Sequence, residues 1–280
     1  MNKITIRVPA TTANLGPGYD CLGVALQLYN RVTVARAKLA VDQPMMGAVG
    51  EKFFAASGVE AFAFTCTVAG EVPRSRGLGS SVTVRLGLLH GLNALCGRPL
   101  DAQRIFHLCA ELEGHPDNAA PGAFGGFTVA GGVEVARFEV APELRFVLLI
   151  PDFEVSTPAA RRVLPEQLDR LQAAKSCANA CRITAAFASR NYELLRGAFT
   201  DFLHQPYREK ELIPFLSRVI AAGETAGAFG GFLSGSGSTI CCVTSANAAQ
   251  VSSAMIEATG LPGMRSIITS ADNKGVRVHR

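Results

Sequence analysis

Apolar and polar residues alternate at the start of the chain, where Ile4, Ile6 and Val8 stand among Lys3, Thr5 and Arg7, the period-two signature of a half-buried strand. A Gly- and Pro-rich loop is expected over 9–20, and a second strand from about Asn30 to Arg36. Residues 45–57 carry a helical pattern, 61–69 read as a strand, and an apolar helical stretch covers 82–96. Asp101 can cap a helix running to about Glu113, ended at Gly114-His115-Pro116 because Pro116 lacks an amide hydrogen. Gly-punctuated, β-branched residues predict strands within 124–140, and the apolar runs 146–150 and 239–243 predict buried strands. Helical patterns fill 165–225 and 246–258. No repeat of 20–50 residues is present, and strands and helices alternate without a strict βαβ rhythm. The expected fold class is α+β, with two mixed lobes at 1–143 and 144–280.

Composition narrows the function. The chain has 280 residues, 48% apolar and 18% charged, against a usual charged share of about 25%, which excludes a disordered chain. The net charge of +4 comes from scattered Lys and Arg, with no run longer than Arg161-Arg162, so a nucleic-acid surface is not indicated. The five His show no zinc-like spacing, and the eight Cys form no framework beyond Cys177-x3-Cys181 and Cys241-Cys242. The N-terminus lacks an apolar signal region and no apolar run approaches about 18 residues, so a reducing, cytoplasmic setting away from membranes is expected. Glycine is the exception to an ordinary composition: 14 of the 28 fall in 16–23, 77–79, 114–126 and 227–237, where the backbone must accept positive φ or close approach.

Much of the candidate chemistry lies in or beside those clusters. Arg76-Gly77-Leu78-Gly79-Ser80-Ser81 lies between a predicted strand and a predicted helix, where amides freed by glycine and a helix N-terminus suit an anion such as phosphate. Ser80 or Ser81 would serve equally well as a plain helix cap, and the segment is neither a Walker A loop nor a G-x-G-x-x-G fingerprint. Asn14 and Asp20 sit on the first loop, where a carboxylate can grip an ammonium group or Asx side chains can merely bond their own backbone. His115, Asp117 and Asn118 are aimed from one short turn stiffened by Pro116. Thr157 and Arg161, four apart, would share a helix face, and a planar guanidinium there or at Arg208 suits bidentate capture of a carboxylate.

Pro73-x3-Gly77-Leu-Gly-Ser-Ser81 resembles the phosphate-binding motif of the GHMP kinases, the superfamily of galactokinase, homoserine kinase, mevalonate kinase and phosphomevalonate kinase. Val8-Pro-Ala-Thr-Thr-Ala-Asn14-Leu-Gly-Pro-Gly-Tyr-Asp20 and Glu113-Gly-His115-Pro-Asp117-Asn118 are similar to motifs of the homoserine kinases in particular, and Ser234-Gly-Ser-Gly-Ser238-Thr to the superfamily's third, glycine-rich motif. Val82 and Thr83 stand where that family usually has alanines, and as β-branched residues they are expected to weaken the helix start slightly. The resemblance implies an N-terminal lobe like the second domain of ribosomal protein S5, a ferredoxin-like C-terminal lobe and an active site between them. It implies MgATP on 76–81, with Mg2+ held by Ser81 and Glu111, Glu113 being the weaker candidate. L-Homoserine would be bound through its ammonium by Asn14, Asp20 or Asp117 and through its carboxylate by Arg161 and Arg208, with His115, Asn118 and Thr157 alongside. Asp117 and Asn118 are the expected catalytic positions: related mevalonate-type enzymes place an Asp base where Asp117 aligns, whereas homoserine kinases use that position for substrate. The short stretch between Lys38 and Pro73 leaves the adenine pocket undefined. A kinase for another small alcohol, such as mevalonate or shikimate, and a non-catalytic binding module are the rivals. The expected partner is the small-molecule substrate, not nucleic acid or membrane, with a homodimer left open.

Overall fold

In the computed structural model of the protein, residues 2–39, 43–132 and 134–279 are described. Strand β1 (Lys3–Asn14) runs antiparallel to the long β2 (Gly18–Arg36), with Ile4 opposite Val34 and Ile6 opposite Val32, so their side chains share one buried face. The expected loop at 9–20 is mostly strand. Pro9 sits where the register shifts and so removes no essential ladder bond, and only Leu15-Gly16-Pro17 turns the chain. Helix α1 (Pro44–Ser57) and β3 (Phe64–Gly70) follow, β3 pairing with the second half of β2. Helices α2 (Ser80–Leu95), α3 (Ala102–Glu113) and α4 (Ala119–Phe124) then pack on the sheet through a core that includes Ile6, Val34, Phe53, Leu86, Leu89 and Phe106. Asp101 caps α3 by accepting from the Arg104 amide at 2.7 Å, and Gly114 ends it in the left-handed region. Strands β4 (Phe127–Gly131) and β5 (Glu134–Phe138) complete this half, β4 pairing with the first half of β2.

The chain then enters a second, four-stranded antiparallel sheet through β6 (Arg145–Ile150). Helices α5 (Thr157–Arg162), α6 (Arg170–Ser189), α7 (Gln205–Glu211) and α8 (Leu216–Thr225) lead to β7 (Gly230–Leu233) and β8 (Ile240–Thr244), and α9 (Ala248–Thr259) leads to β9 (Arg265–Ser270). The order is β7-β8-β6-β9, which makes β6 a central strand buried on both faces, as its unbroken apolar run requires. Its Val147 and Leu149 meet α8 and α9, whereas Phe146 and Leu148 enter a core shared with the first sheet. In that shared core Phe127 and Phe187 stack at 4.2 Å between centroids. The final strand, β10 (Arg277–Val278), pairs with β1, so the tail returns to the first sheet. Among the described residues no helix is long and apolar enough to cross a membrane.

Candidate active site

One cavity of about 560 Å³ lies between the lobes and gathers the four glycine clusters' neighbours. One end is the turn from Arg76 into α2. Gly77 (φ +72°) and Gly79 (φ +64°) hold it in the left-handed region, where a side chain is strained. A Cβ on Gly79 would also lie 2.0 Å from Thr11 Oγ1, and one on Gly77 2.0 Å from the Ser234 carbonyl oxygen. Leu78 is fully buried, its carbonyl accepting from the Thr11 amide at 3.2 Å, so its side chain anchors the loop while the backbone faces the cavity. No side chain caps α2, which leaves the amides of Ser80, Ser81 and Val82 without helical acceptors and aimed outward. Val82 and Thr83 are buried, and Thr83 Oγ1 both donates to the Ser80 carbonyl (2.7 Å) and accepts from Asn30 Nδ2 (2.8 Å), so the β-branched pair fastens the helix start to β2. Gly79→Ala is expected to lower the melting temperature and to cut kcat/KM for ATP about 10²-fold, because Thr11 must move and the φ is unfavourable by about 1–2 kcal/mol. Thermal unfolding and steady-state kinetics check this.

Arg76 departs from its expected role. Its Nε donates to the Pro151 carbonyl (3.0 Å) and its Nη1 lies 3.3 Å from Glu154, so the side chain fastens the loop to the second lobe instead of standing free for phosphate. The third glycine-rich segment braces the same loop from behind: Ser234 Oγ donates to the Gly77 carbonyl at 2.6 Å and pairs with Thr12 Oγ1 at 2.7 Å. Beyond the loop, Met45 and Met46 of α1, Val68 of β3 and Val72 form an apolar wall of the cavity. The short stretch after Lys38 therefore still supplies a surface suited to a flat ring, although 40–42 lie outside the described residues.

The structure brings Glu113, and not the expected Glu111, to Ser81. On a helix two residues differ by about 200°, so the pair cannot face the same side. Glu111 points to α1 and pairs with Lys52 at 2.7 Å, with 47% of its side chain exposed; that lysine holds its carboxyl below the ordinary range. Glu113 turns inward. Its Oε1 pairs with Arg85, and its Oε2 accepts from Ser81 Oγ at 3.2 Å at the mouth of α2. A hydroxyl and a carboxylate beside a phosphate loop are hard oxygen donors of the kind magnesium takes, so the residues fit that ion.

At the other end of the cavity Asp117 is almost fully buried, its Oδ1 accepting from His115 Nδ1 (2.5 Å) and the Asn118 amide (2.8 Å). Burial lowers the His115 pKa, but the hydrogen bond to Asp117 and that carboxylate's charge outweigh it and the net shift is upward. Asn118 Oδ1 accepts from Thr11 Oγ1 at 2.7 Å, which ties the turn holding Asp117 to β1. Asn14 is likewise committed: at φ +70° its Oδ1 accepts from the Asp20 amide (3.1 Å) and its Nδ2 donates to the Gly235 carbonyl (3.0 Å). These two bonds clamp the turn that presents Asp20, and Asn14 still lines the cavity. The carboxylate of Asp20 receives Arg161 Nη2 at 2.8 and 3.0 Å. Thr157 opens α5 one turn before Arg161 and lines the cavity, as does Arg208 from α7.

Ligating atoms of Asp20, His115 and Asp117 come within 4.8 Å of one another, and the same cavity is lined by Arg161, already on Asp20, and by Arg208. That arrangement suits a zwitterion better than a metal, because Arg161 and His115 already meet the negative charge. Two further side chains, not among those expected, stand beside these groups. The Tyr19 ring lies 5.4 Å from the Arg161 guanidinium carbon and 5.5 Å from that of Arg208, and the buried His204 lies one helical turn before Arg208. The i, i+4 spacing of His204 and Arg208 was the available signal.

A loop suited to an anion, a hydroxyl–carboxylate pair beside it and an end lined by carboxylates and guanidinium groups share one interlobe cavity, the arrangement expected of a small-molecule kinase. Residues 44–126 match the family model of the GHMP kinases N terminal domain, and 183–260 that of the GHMP kinases C terminal. The chain is 39% identical over 97% of its length to homoserine kinase from a Synechococcus species, covering 96% of that protein. It is 35% identical over 98% of its length to homoserine kinase from Caldicellulosiruptor bescii, again covering 96%. A crystal structure of homoserine kinase from Cytophaga hutchinsonii superposes with a TM-score of 0.90 at 24% identity, over 100% of this chain and 98% of that one. The chain belongs to the homoserine kinase family of GHMP kinases, with the two-lobed fold of that superfamily.

Proposed function

We propose that the chain transfers the γ-phosphoryl group of ATP to the side-chain hydroxyl of L-homoserine, giving O-phospho-L-homoserine and ADP, a step toward threonine. The observation that carries this reading is the pairing of carboxylates (Asp20, Asp117) with guanidinium groups (Arg161, Arg208) in the same cavity as the 77–81 loop. An acceptor with both ammonium and carboxylate satisfies all four; mevalonate, lacking an ammonium, satisfies only the arginines.

In this reading the amides of 80–82 receive the phosphates, and the apolar wall of Met45, Met46, Val68 and Val72 receives the base. Ser81 and Glu113 would hold Mg2+. When bound, that ion neutralises charge on the phosphate oxygens. Asp20 and the open Oδ2 of Asp117 grip the ammonium, Arg161 and Arg208 the carboxylate, and the hydroxyl is left facing the γ-phosphorus. Its oxygen attacks in line, the bond from the γ-phosphorus to the bridging oxygen breaks, and the hydroxyl proton departs to solvent or to the phosphoryl oxygens. Phosphoryl transfer calls for positioning and charge neutralisation more than for a strong base, so Asp117 is given the binding task and Asn118 and His115 the task of aiming it.

A coupled ADP-release assay tests the assignment with homoserine, threonine, mevalonate and shikimate at saturating MgATP. Homoserine is expected to give a kcat/KM about 10³-fold or more above that of mevalonate, since a site built for a buried charge rejects an analogue lacking it. Equal or faster turnover of mevalonate or shikimate would overturn it.

A further inference from the structure

Arg208 is more deeply buried than Arg161, and three of its five N–H groups are held by the protein. Its Nε donates to the Ala160 carbonyl at 3.1 Å, and its Nη1 donates to the Gly235 carbonyl at 2.8 Å and lies 3.2 Å from His204 Nδ1. The two N–H groups of Nη2 remain for a ligand in the cavity. His204 is fully buried, and its Nε2 lies 2.9 Å from the Gly16 carbonyl and 3.5 Å from Asp201 Oδ2. Both of those oxygens accept only, so the ring proton sits on Nε2 and the Nδ1 lone pair faces Arg208. The imidazole thus connects the turn presenting Tyr19 and Asp20 to the arginine of the other lobe. Asp201 fixes its backbone by accepting from the amides of Leu203, His204 and Gln205 at 2.8, 2.8 and 2.7 Å.

We propose that His204 is a positioning residue: a neutral imidazole, protonated on Nε2, whose Nδ1 holds one N–H of Arg208 and so aims the remaining Nη2 edge at the substrate carboxylate. The proposal rests on the reading that Arg208 binds that carboxylate. Burial supports a neutral ring, lowering the His204 pKa to about 4; Asp201 pulls it upward, and Arg208 pushes it down. The other groups facing it are Tyr19, whose ring centroid is 5.3 Å away, and Asp117. Protonation would place an N–H of the ring against an N–H of Arg208 and lose the hydrogen bond. Because the folded pKa lies below the unfolded value of 6.5, the unfolded chain binds the extra proton first. His204 therefore contributes stability that is complete above about pH 6.5 and is lost as pH falls toward about 4.

The test compares His204→Leu, which removes the acceptor, with His204→Asn, whose amide oxygen can replace Nδ1. His204→Leu is expected to raise the homoserine KM about tenfold, the scale of a hydrogen bond to a charged group, with the KM for ATP within about twofold of wild type; His204→Asn is expected to recover most of the loss. In an Arg208→Ala background, His204→Leu should add nothing. If Arg208→Ala itself leaves the homoserine KM unchanged, the carboxylate reading fails. If Arg208→Ala raises it but neither His204 variant does, or both His204 variants raise the two KM values together, this proposal alone fails. Should His204→Leu not fold, nitrogen NMR of the intact protein still decides: an unprotonated Nδ1 at neutral pH and a ring still uncharged near pH 5.5 are expected, and a proton on Nδ1 overturns the assignment.

Discussion

Glu113→Gln is expected to reduce turnover at ordinary magnesium concentrations about 10²- to 10³-fold, while Glu111→Ala stays within about twofold of wild type. The two carboxylates are close in sequence and opposite in surroundings. Glu111 is half exposed and held by Lys52 on the outer face of α3, so its removal costs a surface ion pair of small worth. Glu113 lies against α2 with its Oε2 on Ser81 and its Oε1 on Arg85. The glutamine keeps the shape but removes the charge that would draw a divalent ion to Ser81, so the deficit should shrink as magnesium is raised. Loss of the charge also leaves Arg85 without its counter-ion, and unfolding must be separated from loss of the metal. A melting curve settles whether the variant is folded. The magnesium dependence of kcat then tells the two apart, since a merely weakened fold leaves the half-saturating magnesium concentration unchanged. Full turnover by Glu113→Gln with unaltered magnesium dependence, or collapse of Glu111→Ala, would return the assignment to Glu111.

Much of this arrangement is legible in the chain and part of it is not, for reasons that differ by residue. The run Phe146–Ile150 announces a strand buried on both sides, and the observed central place of β6 follows. Gly77 and Gly79 announce a backbone that needs positive φ between a strand and a helix, and the loop is where their spacing puts it. Local chemistry of that kind survives folding unchanged. Choices that depend on which element packs beside which do not. Whether Glu111 or Glu113 faces Ser81 is set by the docking of α3 between α1 and α2, which no spacing within α3 records. Asn14, Asn118 and Arg76 look like free polar groups in one dimension, yet backbone atoms or side chains from more than a hundred positions away, or from the opposite lobe, claim them. The run through Pro9 to Asn14 reads as loop because Pro9, the two alanines and Asn14 are poor strand formers despite Thr11 and Thr12, but pairing with β2 overrides that weak local preference. Likewise the return of β10 to β1 requires the first sheet to leave an edge open, a fact of three-dimensional topology alone.

Asp20→Asn is expected to lower kcat/KM for homoserine about 10²-fold while leaving 4-hydroxybutyrate, the same acceptor without its ammonium, unchanged or improved. Arg161 Nη2 contacts both oxygens of Asp20, so a carboxylate approaching Arg161 competes with one already there. Homoserine brings compensation, because as its carboxylate takes Arg161 its ammonium takes Asp20, and the cavity exchanges one ion pair for two. The hydroxy acid brings none. It would draw Arg161 away and leave Asp20 facing Asp117, whose ligating atoms lie within 4.8 Å of its own, without the cation that had paired with it. The penalty against the hydroxy acid is therefore built from repulsion as well as missing attraction, and a neutral amide at position 20 removes the repulsive part. Side-chain exposures of 33% for Asp20 and 40% for Arg161 mean that water screens the pair, which is why the expected loss is nearer a hundredfold than the larger values seen for fully desolvated charges. Steady-state kinetics of both acceptors with both proteins give the discriminating ratio. A parallel loss for the two substrates would show that Asp20 acts only by supporting Arg161, and an unchanged homoserine kcat/KM would remove Asp20 from the site.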